Sequence, residues 1–294
     1  MVDAGTGATR ARARGVWGWT WRALLVLVVL LVMLVVHTVW FKPLRINWFY
    51  ERVFIEFALD DPELLSSLRI LPSWLDFHSD KLTDRSIART REGQQHLHDA
   101  LQMLRRYDRD RLDEAGRESY DILEYFLAIQ VEGERFAFHN HPLNQLFGVQ
   151  NGLPTFLATQ HPIQRRRDVE NYIQRLKQVP VVFAQVHQGL RYREQQGIVP
   201  PRFVVEKVLE EMRGFIDAGV EANILYSSFL EKLDALPSGV LDERDRQRSL
   251  ERVRLAIELD VFPAYRGLVD YYAALLPRVR GNDGVWAMPE GEAY

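Results

Sequence analysis

The stretch PPRFVVEKVLEEMRGFIDA, residues 200–218, shows the pattern that decides the fold. After the opening prolines, large apolar side chains follow at spacings of three and four residues: Phe203 or Val204, Val208, Met212 and Phe215. Because an α-helix repeats every ~3.6 residues, these side chains share one face, and a proline in the first turn suits a helix start. The stretch therefore predicts an amphipathic helix that packs one face against a core.

The same helical period continues along most of the chain after Thr83, without the sustained period-two alternation that marks half-buried strands. Further helical stretches are predicted at 47–61, 84–107, 110–138, 224–236, and 242–279 with a kink or break at Pro263. Between them, the stripe of Val169, Tyr172, Ile173 and Leu176 predicts another helix, which restarts at Pro180 and stops at Gly197. A loop is predicted at 139–164. We predict an all-α fold in which residues 46–280 form one multi-helix, bundle-like domain.

The N-terminal part differs from this body, because residues 23–41 read ALLVLVVLLVMLVVHTVWF and carry no formal charge. As a helix rising about 1.5 Å per residue, this run covers about 28 Å, enough to cross the core of a bilayer. Tryptophans, which favour membrane interfaces, flank both ends of the run: Trp17, Trp19 and Trp21 before it, and Trp40 and Trp48 after it. We predict a single transmembrane signal anchor, with a cleaved signal peptide or a buried core helix as alternatives.

The charges around this span bear on orientation and partners. The basic residues are Arg10, Arg12, Arg14 and Arg22 before it and Lys42, Arg45 and Arg52 after it. We favour a cytoplasmic tail at 1–22 and a body on the external side, periplasmic or extracellular. The tail carries +3 once Asp3 is counted, so the net charge of −3 leaves −6 for the remainder, which argues against nucleic acid as a partner. The absence of cysteine excludes disulfides, thiolate metal ligands and a cysteine-linked lipid anchor.

No catalytic motif within a single segment occurs in the sequence. None of the eight histidines is followed by glutamate, no Gly-x-Ser-x-Gly elbow is present, and without cysteine there is no thiol nucleophile. The pairs His96/His98 and His139/His141 are two residues apart, which separates their side chains by about 200° on a helix. In a loop, His139 and His141 would be free to converge on a metal; the alternative is ordinary packing, capping or surface exposure.

Two further features are candidates for ligand contact. The run Arg165, Arg166 and Arg167 is interpreted as a solvated helix start, with anion binding as the alternative. The stretch NHPLNQLFGVQNGLPTFLATQHPI, residues 140–163, combines amides with apolar rings and must be ordered where its amides are buried. It is either a packed connector between helical pairs or the lining of a cleft, in which case the lining residues are Asn144, Gln145, Gln150, Asn151 and Gln160.

At this stretch the sequence resembles bacterial domain-of-unknown-function family 885. Four segments carry the resemblance: HSDKLTDRS at 78–86, RDRLDEAGRESYDILEYFL at 109–127, HPLNQLFGVQNGLPTFLATQHPI at 141–163 and DGVWAMPEGEAY at 283–294. Longer members of that family are similar to α-helical zinc peptidases, with metal ligands on a later half that contains a His-Glu pair followed by Gly-His. None of that half is found here, so the resemblance assigns no catalytic or metal residue to any position of this chain.

Taken with the resemblance, the sequence predicts the membrane-anchored N-terminal portion of a metallopeptidase-like protein, inactive alone, with zinc expected only in a missing C-terminal half. Residues 281–294 would form the junction to that half, against which Trp286 and Met288 would pack; without it they are expected to be exposed or disordered. The partners would be the lipid bilayer and, together with the missing half, a peptide substrate. The alternatives are a non-enzymatic membrane-tethered helical binding or scaffold protein and, third, a hydrolase with a dispersed site.

Overall fold

The computed structural model describes residues 7–279, 281 and 284–294, and for residues 7–18, 20 and 73 it describes the backbone only. This part of the chain is 73% helical and has no strand, which confirms the predicted all-α class. Its α-helices are α1 (Gly7–Trp40), α2 (Ile46–Leu59), α3 (Pro62–Leu68), α4 (Ile87–Leu104), α5 (Glu114–Glu132), α6 (Val149–Thr159), α7 (Arg166–Gln195), α8 (Arg202–Asp217), α9 (Gly219–Ala222), α10 (Ile224–Asp234), α11 (Glu243–Ala256) and α12 (Phe262–Leu275). The side chains of Arg10, Arg12, Arg14 and Trp17, on which the predictions for the tail depend, lie outside the described residues.

Within α1, the segment Trp21–Trp40 is long and apolar enough to cross a membrane, with a mean hydropathy of 2.8. None of its residues is buried in the structure. The rings of Trp19, Trp21 and Trp40 are exposed, while Trp48 is half-buried with the Arg45 guanidinium 5.8 Å from its ring. An exposed apolar surface of this length is unfavourable in water and favourable in lipid, so α1 is a candidate membrane span.

The chain forms two compact units, and the predicted domain at 46–280 draws residues from both. The first unit comprises the residues up to Glu56 together with Gln102–Tyr120, and the second comprises Phe57–Leu101 and Asp121–Tyr294. In the first unit, Nη1 of Arg52 donates hydrogen bonds of 2.9 to 3.1 Å to the carbonyls of Thr38, Val39 and Phe41. Because the last carbonyls of a helix lack partners within it, this cation caps the C-terminal end of α1.

The second unit is organised around α7. Its apolar stripe is buried along its length: Val169, Tyr172, Ile173, Leu176, Val179, Val182, Phe183, Val186 and Leu190. α7 packs against α11 and α12, α8 packs against α12, and α10 packs against α6. Each large apolar side chain that is removed from water contributes about 1.5–3 kcal/mol, so this stripe is a principal source of stability.

α7 runs unbroken from Arg166 to Gln195, and the helix restart predicted at Pro180 is therefore wrong. An interior proline removes one backbone hydrogen bond and crowds the carbonyl four residues earlier, at a cost of about 3 kcal/mol. Val179 and Val182, on either side of it, are buried in the core. Their packing offsets the cost, so the helix continues where local sequence rules would end it.

The loop predicted at 139–164 contains a helix, α6, and that prediction is wrong over residues 149–159. The sequence of α6 does not show a clear helical period, because it contains a glycine, two amide side chains and an interior proline. Pro154 lacks the N–H that would bond to the carbonyl of Gln150, four residues earlier. The buried hydroxyl of Tyr265 on α12 donates a hydrogen bond to that carbonyl instead. A tertiary contact thus replaces the hydrogen bond that the proline cannot make.

A π-helical turn, Ile257–Val261, joins α11 to α12, whose second residue is Pro263. In a regular helix the ring of Pro263 would crowd the carbonyl of Leu259, and the missing N–H would leave that carbonyl unpaired. A π-turn widens the helix by one residue and relieves this conflict. At the predicted kink or break, the structure shows this π-helical turn, and α11 and α12 are not separated by a loop.

Arg175, on α7, is the largest fully buried side chain of the described residues. Its Nε donates to the carbonyl of Lys81 at 2.8 Å, Nη1 to Nδ1 of His161 at 2.7 Å, and Nη2 to the hydroxyl of Ser66 at 2.6 Å. Nη2 also lies 3.3 Å from the carbonyl of His78. One guanidinium therefore ties three other segments of the second unit to its central helix.

His161 is neutral in this arrangement. Its Nδ1 accepts from Arg175, and its Nε2 lies 3.1 Å from the carbonyl of Asp168, which can only accept, so Nε2 carries the proton. Burial, followed by the positive charge of Arg175, lowers the pKa of His161 to about 3. Burial also lowers the pKa of Arg175 to about 10, which leaves the guanidinium charged at neutral pH.

Candidate functional site

A cavity of about 630 Å³ lies within the second unit. Four parts of the chain line it: residues 84–90, which include the first turn of α4, the segment 138–149, one face of α7 at 186–193, and the segment 285–294. The rings of Phe138 and Phe147 provide apolar surface, and the side chains of Asn140 and Asn144 provide amides. A volume of this size with mixed apolar and polar lining is typical of small-ligand sites in proteins.

Asn144 shapes the lining segment. Its Nδ2 donates to the carbonyl of His141 at 3.0 Å, and its Oδ1 accepts from the backbone N–H groups of Leu146 and Phe147 at 3.0 and 2.8 Å. Such bonds from an Asn side chain to nearby backbone form a tight turn without regular secondary structure. The turn leaves the Phe147 ring exposed on the cavity wall.

The five amide residues proposed for a cleft occupy different environments. Asn144 lines the cavity. Gln150 is buried, and its Nε2 donates to the carbonyl of Asn144 at 2.7 Å and to Oε2 of Glu211 at 2.9 Å. Gln145 and Asn151 are half-buried, Gln160 is exposed, and none of these three is part of the cavity wall.

Gly148, before α6, is a position in this segment with no room for a side chain. A Cβ there would lie 2.5 Å from both the N and the O of Asn144. We expect Gly148→Ala to lower the free energy of unfolding by about 1–3 kcal/mol, because overpacking displaces the backbone. Gly152→Ala is the matched control: its Cβ would meet nothing within 4 Å, and we expect a gain of about 0.5–1 kcal/mol. Urea unfolding of the full chain in detergent micelles measures both changes, and equal effects would contradict the packing argument.

His139 and His141 both line the cavity. Nε2 of His139 lies 2.8 Å from the carbonyl of Pro289 and therefore carries a proton. Nδ1 of His139 is buried and has no hydrogen-bond partner among the described residues. Burial, followed by the charge of Arg193, lowers the pKa of His141 to about 4, so this imidazole is neutral at neutral pH.

Arg193, on α7, brings a buried positive charge to the cavity wall and is only 9% exposed. Nε and Nη2 bind the backbone carbonyl and the side-chain Oδ1 of Asn140 at 3.0 and 2.6 Å. Nη1 donates to the carbonyl of Gly189 at 3.1 Å, and the guanidinium carbon lies 5.2 Å from the centre of the Phe138 ring. All of these partners are uncharged.

The segment at 284–294 forms one side of the cavity. Val285, Met288 and Tyr294 are on its wall, and the Tyr294 ring lies 5.3 Å from the ring of His139. Trp286 is 69% exposed, as expected for it, whereas Met288 is half-buried on the cavity wall and is neither exposed nor disordered. That this segment also joins a further half of the protein remains a prediction.

The other candidate residues have partners within the chain. Arg165 pairs with Asp168 at 3.5 Å, Arg166 with Asp245 at 2.5 Å, and Arg167 donates to the carbonyl of Asp76 at 2.6 Å. His96 lies beside Asp60, and His98 beside Glu134, so this pair does not converge. Among the described residues, no group of three or more His, Asp or Glu side chains is placed to hold a metal ion.

Sequence reasoning did not identify Arg193, although a signal was present. Leu190 and Val186 precede it by three and seven residues, which places this arginine on the apolar stripe of α7, and Arg175 lies on the same stripe three residues after Tyr172. A charge on a buried helical face must find polar partners or a ligand. No local sequence pattern indicates that residues 84–90 and 285–294 line the same cavity, because this depends on contacts between segments that are far apart in the chain.

Comparisons with known proteins agree with this architecture. The solved structure of the "putative lipoprotein" from Colwellia psychrerythraea is 17% identical, with a TM-score of 0.73 over 84% of this chain and 45% of its own. That of a "putative lipoprotein of unknown function" from Shewanella oneidensis is 13% identical, with a TM-score of 0.53 over 80% of this chain and 38% of its own. The chain thus spans less than half the length of either structure, and at these identities the likeness concerns the fold alone. No curated protein matches the sequence.

The family comparison covers most of the chain. The model of the family described as "Bacterial protein of unknown function (DUF885)" matches residues 62–294, which include every residue that lines the cavity. The protein therefore belongs to the DUF885 family of bacterial proteins.

Proposed function

We propose that this protein is a membrane-anchored, peptide-binding helical protein and that its ligand occupies the cavity between α4, α7 and the 138–149 segment. The observation that carries the proposal is the cavity itself, whose walls combine apolar rings with amide and imidazole groups. A peptide needs both, because its side chains favour apolar surface while its backbone needs donors and acceptors.

The anchor in this proposal is α1, with the lipid bilayer as its partner. The exposed apolar segment Trp21–Trp40 supports it, and so does the description of both solved relatives as lipoproteins. Since this chain has no cysteine to carry a lipid, the transmembrane helix would take the place of a lipid anchor. We propose that the N-terminus is cytoplasmic and that the body lies on the external side.

Peptidase chemistry is a further part of the proposal. The resemblance to zinc peptidases implies a metal-activated water, but the described residues offer no set of zinc ligands. No catalytic step can therefore be assigned to them. We propose that these residues bind the peptide, that they are inactive alone, and that the metal ligands would be contributed by residues beyond these 294.

Filling the cavity tests the proposal. Thr90 lines the cavity from α4, whereas Arg91, the next residue on the same helix, is exposed and does not. The full chain in detergent micelles is dialysed against a mixture of random peptides of three to five residues, and retained peptide is measured by mass spectrometry. We expect Thr90→Trp to reduce retention about tenfold or more, because the indole occupies ligand volume, and Arg91→Trp to leave retention unchanged. Equal retention by the two variants, or none by the wild-type chain, would refute cavity binding.

A further inference from the structure

We infer that Arg193 recognises a carboxylate of the bound ligand and that the cavity selects peptides by this negative group, with His139, on the same cavity wall, accepting a hydrogen bond from the ligand. The inference rests on the proposed function, to which it adds the chemical class of the ligand. Within the described residues, Arg193 has unused donors and no counter-ion, and one nitrogen of His139 has no partner.

Not all hydrogen-bond donors of Arg193 have an acceptor among the described residues. A guanidinium has five N–H groups, and the structure shows three hydrogen bonds for Arg193, one from each of its nitrogens. One N–H on each terminal nitrogen therefore remains without an acceptor among the described residues. The bonds to Asn140 hold the planar group in place, and the two remaining donors suit the two oxygens of a carboxylate.

No acidic group of the described chain neutralises Arg193. Its hydrogen-bond acceptors are backbone carbonyls and an amide, and no carboxylate lies within ion-pairing distance of it in the described residues. Asp84 is on the same cavity wall and keeps its negative charge while accepting from the N–H of Ser86 at 2.8 Å, but it is exposed and does not pair with Arg193. Glu194 pairs with Arg278 and accepts from the Tyr271 hydroxyl at 3.0 Å. A buried charge is costly without an opposite charge, so the immediate surroundings of Arg193 favour an anionic group of the ligand.

The charge of the second cation of the cavity, Arg85, is already paired, although its buried Nε has no hydrogen-bond partner among the described residues. Arg85 lines the wall, but its Nη2 pairs with Oε2 of Glu63 at 2.9 Å. Because this pair is neutral as a whole, it adds no net attraction for an anion. The selectivity that we infer is therefore assigned to Arg193 and not to a general positive field.

His139 supplies an independent observation. It is 92% buried, since only 8% of it is exposed, it lines the cavity, and its Nδ1 has no partner among the described residues. With the proton on Nε2, Nδ1 of a neutral imidazole is a lone-pair acceptor. A peptide presents an N–H as well as its terminal carboxylate, so one ligand of this class carries a donor for His139 and an acceptor for Arg193. A buried polar atom without a partner is rare in native proteins, and a bound ligand would satisfy it.

The experiment compares three peptides on the full chain in detergent micelles by isothermal titration calorimetry. They are N-acetyl-Phe-Ala-Ala with a free carboxylate, the same peptide as its C-terminal amide, and N-acetyl-Phe-Ala-Asp as its C-terminal amide. We expect the free acid to bind at least about tenfold more tightly than the neutral amide, as for a desolvated charged hydrogen bond. Tight binding of the third peptide would show that a side-chain carboxylate also satisfies Arg193.

The outcomes separate the two proposals. Equal binding of the acid and the neutral amide would overturn the carboxylate inference and leave the peptide-binding function standing. Binding of none of the three would overturn both. In the variant Arg193→Gln we expect the ratio of the two affinities to fall to about one, whereas Arg191→Gln, an exposed arginine two residues earlier, should retain the ratio. If Arg193→Gln does not fold, the comparison of acid and amide on the wild-type chain still decides the inference.

Discussion

Arg175→Met is expected to lower the free energy of unfolding by about 3–5 kcal/mol. The guanidinium is fully buried and donates to the carbonyl of Lys81, to Nδ1 of His161 and to the hydroxyl of Ser66. Methionine fills much of the same volume but donates no hydrogen bond. Three buried acceptors would lose their partner, and each unsatisfied group costs about 1–3 kcal/mol, part of which local rearrangement recovers.

Lys177→Met is the matched control for this substitution. Lys177 lies on the same helix, two residues later, and is exposed. Lysine and methionine have similar helix propensities, so we expect the control to change stability by no more than about 0.5 kcal/mol. Urea unfolding of the full chain in detergent micelles, followed by far-ultraviolet circular dichroism, measures both. A loss below about 1 kcal/mol for Arg175→Met would show that the buried hydrogen bonds contribute little net stability.

The second large effect that we expect is a loss of stability in mild acid. The pKa is lowered to about 3 for His161 and to about 4 for His141, in each case chiefly by burial. In the unfolded chain both titrate near 6.5, so between pH 6.5 and 4 the unfolded state binds more protons than the folded state. The free energy of unfolding therefore falls as pH falls through this window. At about 1.4 kcal/mol per pH unit, each histidine removes about 2 kcal/mol by pH 5.

His161→Gln isolates one of these contributions. Glutamine offers an acceptor for Arg175 and a donor for the carbonyl of Asp168 without titrating. The difference between wild type and variant at pH 8 reports the loss of contacts, and we expect it to shrink by about 2 kcal/mol at pH 5. Glu170, whose pKa is lowered to about 2 mainly by a hydrogen bond from Arg252, loses its stabilising contribution only as pH falls below about 4.5 and does not affect this comparison. An unchanged difference between pH 8 and pH 5 would refute the role of His161.

The helical periods could be predicted from the sequence because each one depends only on residues that are close together in the chain. The stripe from Val204 to Met212 on α8 and the apolar run of α1 need only neighbouring residues to define a face or a span, and both are present as predicted. The effect of each proline on its helix was harder to predict from the sequence, because that effect depends on the tertiary contacts around the proline. Pro263 is accommodated by a π-turn, Pro180 lies within a continuous helix, and Pro154 is accommodated through the hydroxyl of Tyr265 on another helix.

Sequence composition indicated only some of the residues that line the cavity. Of the amides proposed as a cleft lining in the 140–163 stretch, Asn144 is on the cavity wall. Gln150, with the same side-chain chemistry, is buried against Glu211. Sequence composition does not distinguish these two roles, because a packed connector and a cleft lining both need amides that form hydrogen bonds.

By itself the sequence determined the all-helical class, the apolar segment long enough to span a membrane and the segments that carry the family resemblance, since each follows from the spacing or identity of nearby residues. Only the tertiary structure decided that Arg193, His139 and residues 284–294 share one cavity and that Arg175 joins distant segments in the core. The physical reason is that burial and hydrogen-bond satisfaction depend on groups far apart in the chain. A charged side chain on a helical stripe therefore becomes either a core contact, as for Arg175, or part of a cavity wall, as for Arg193.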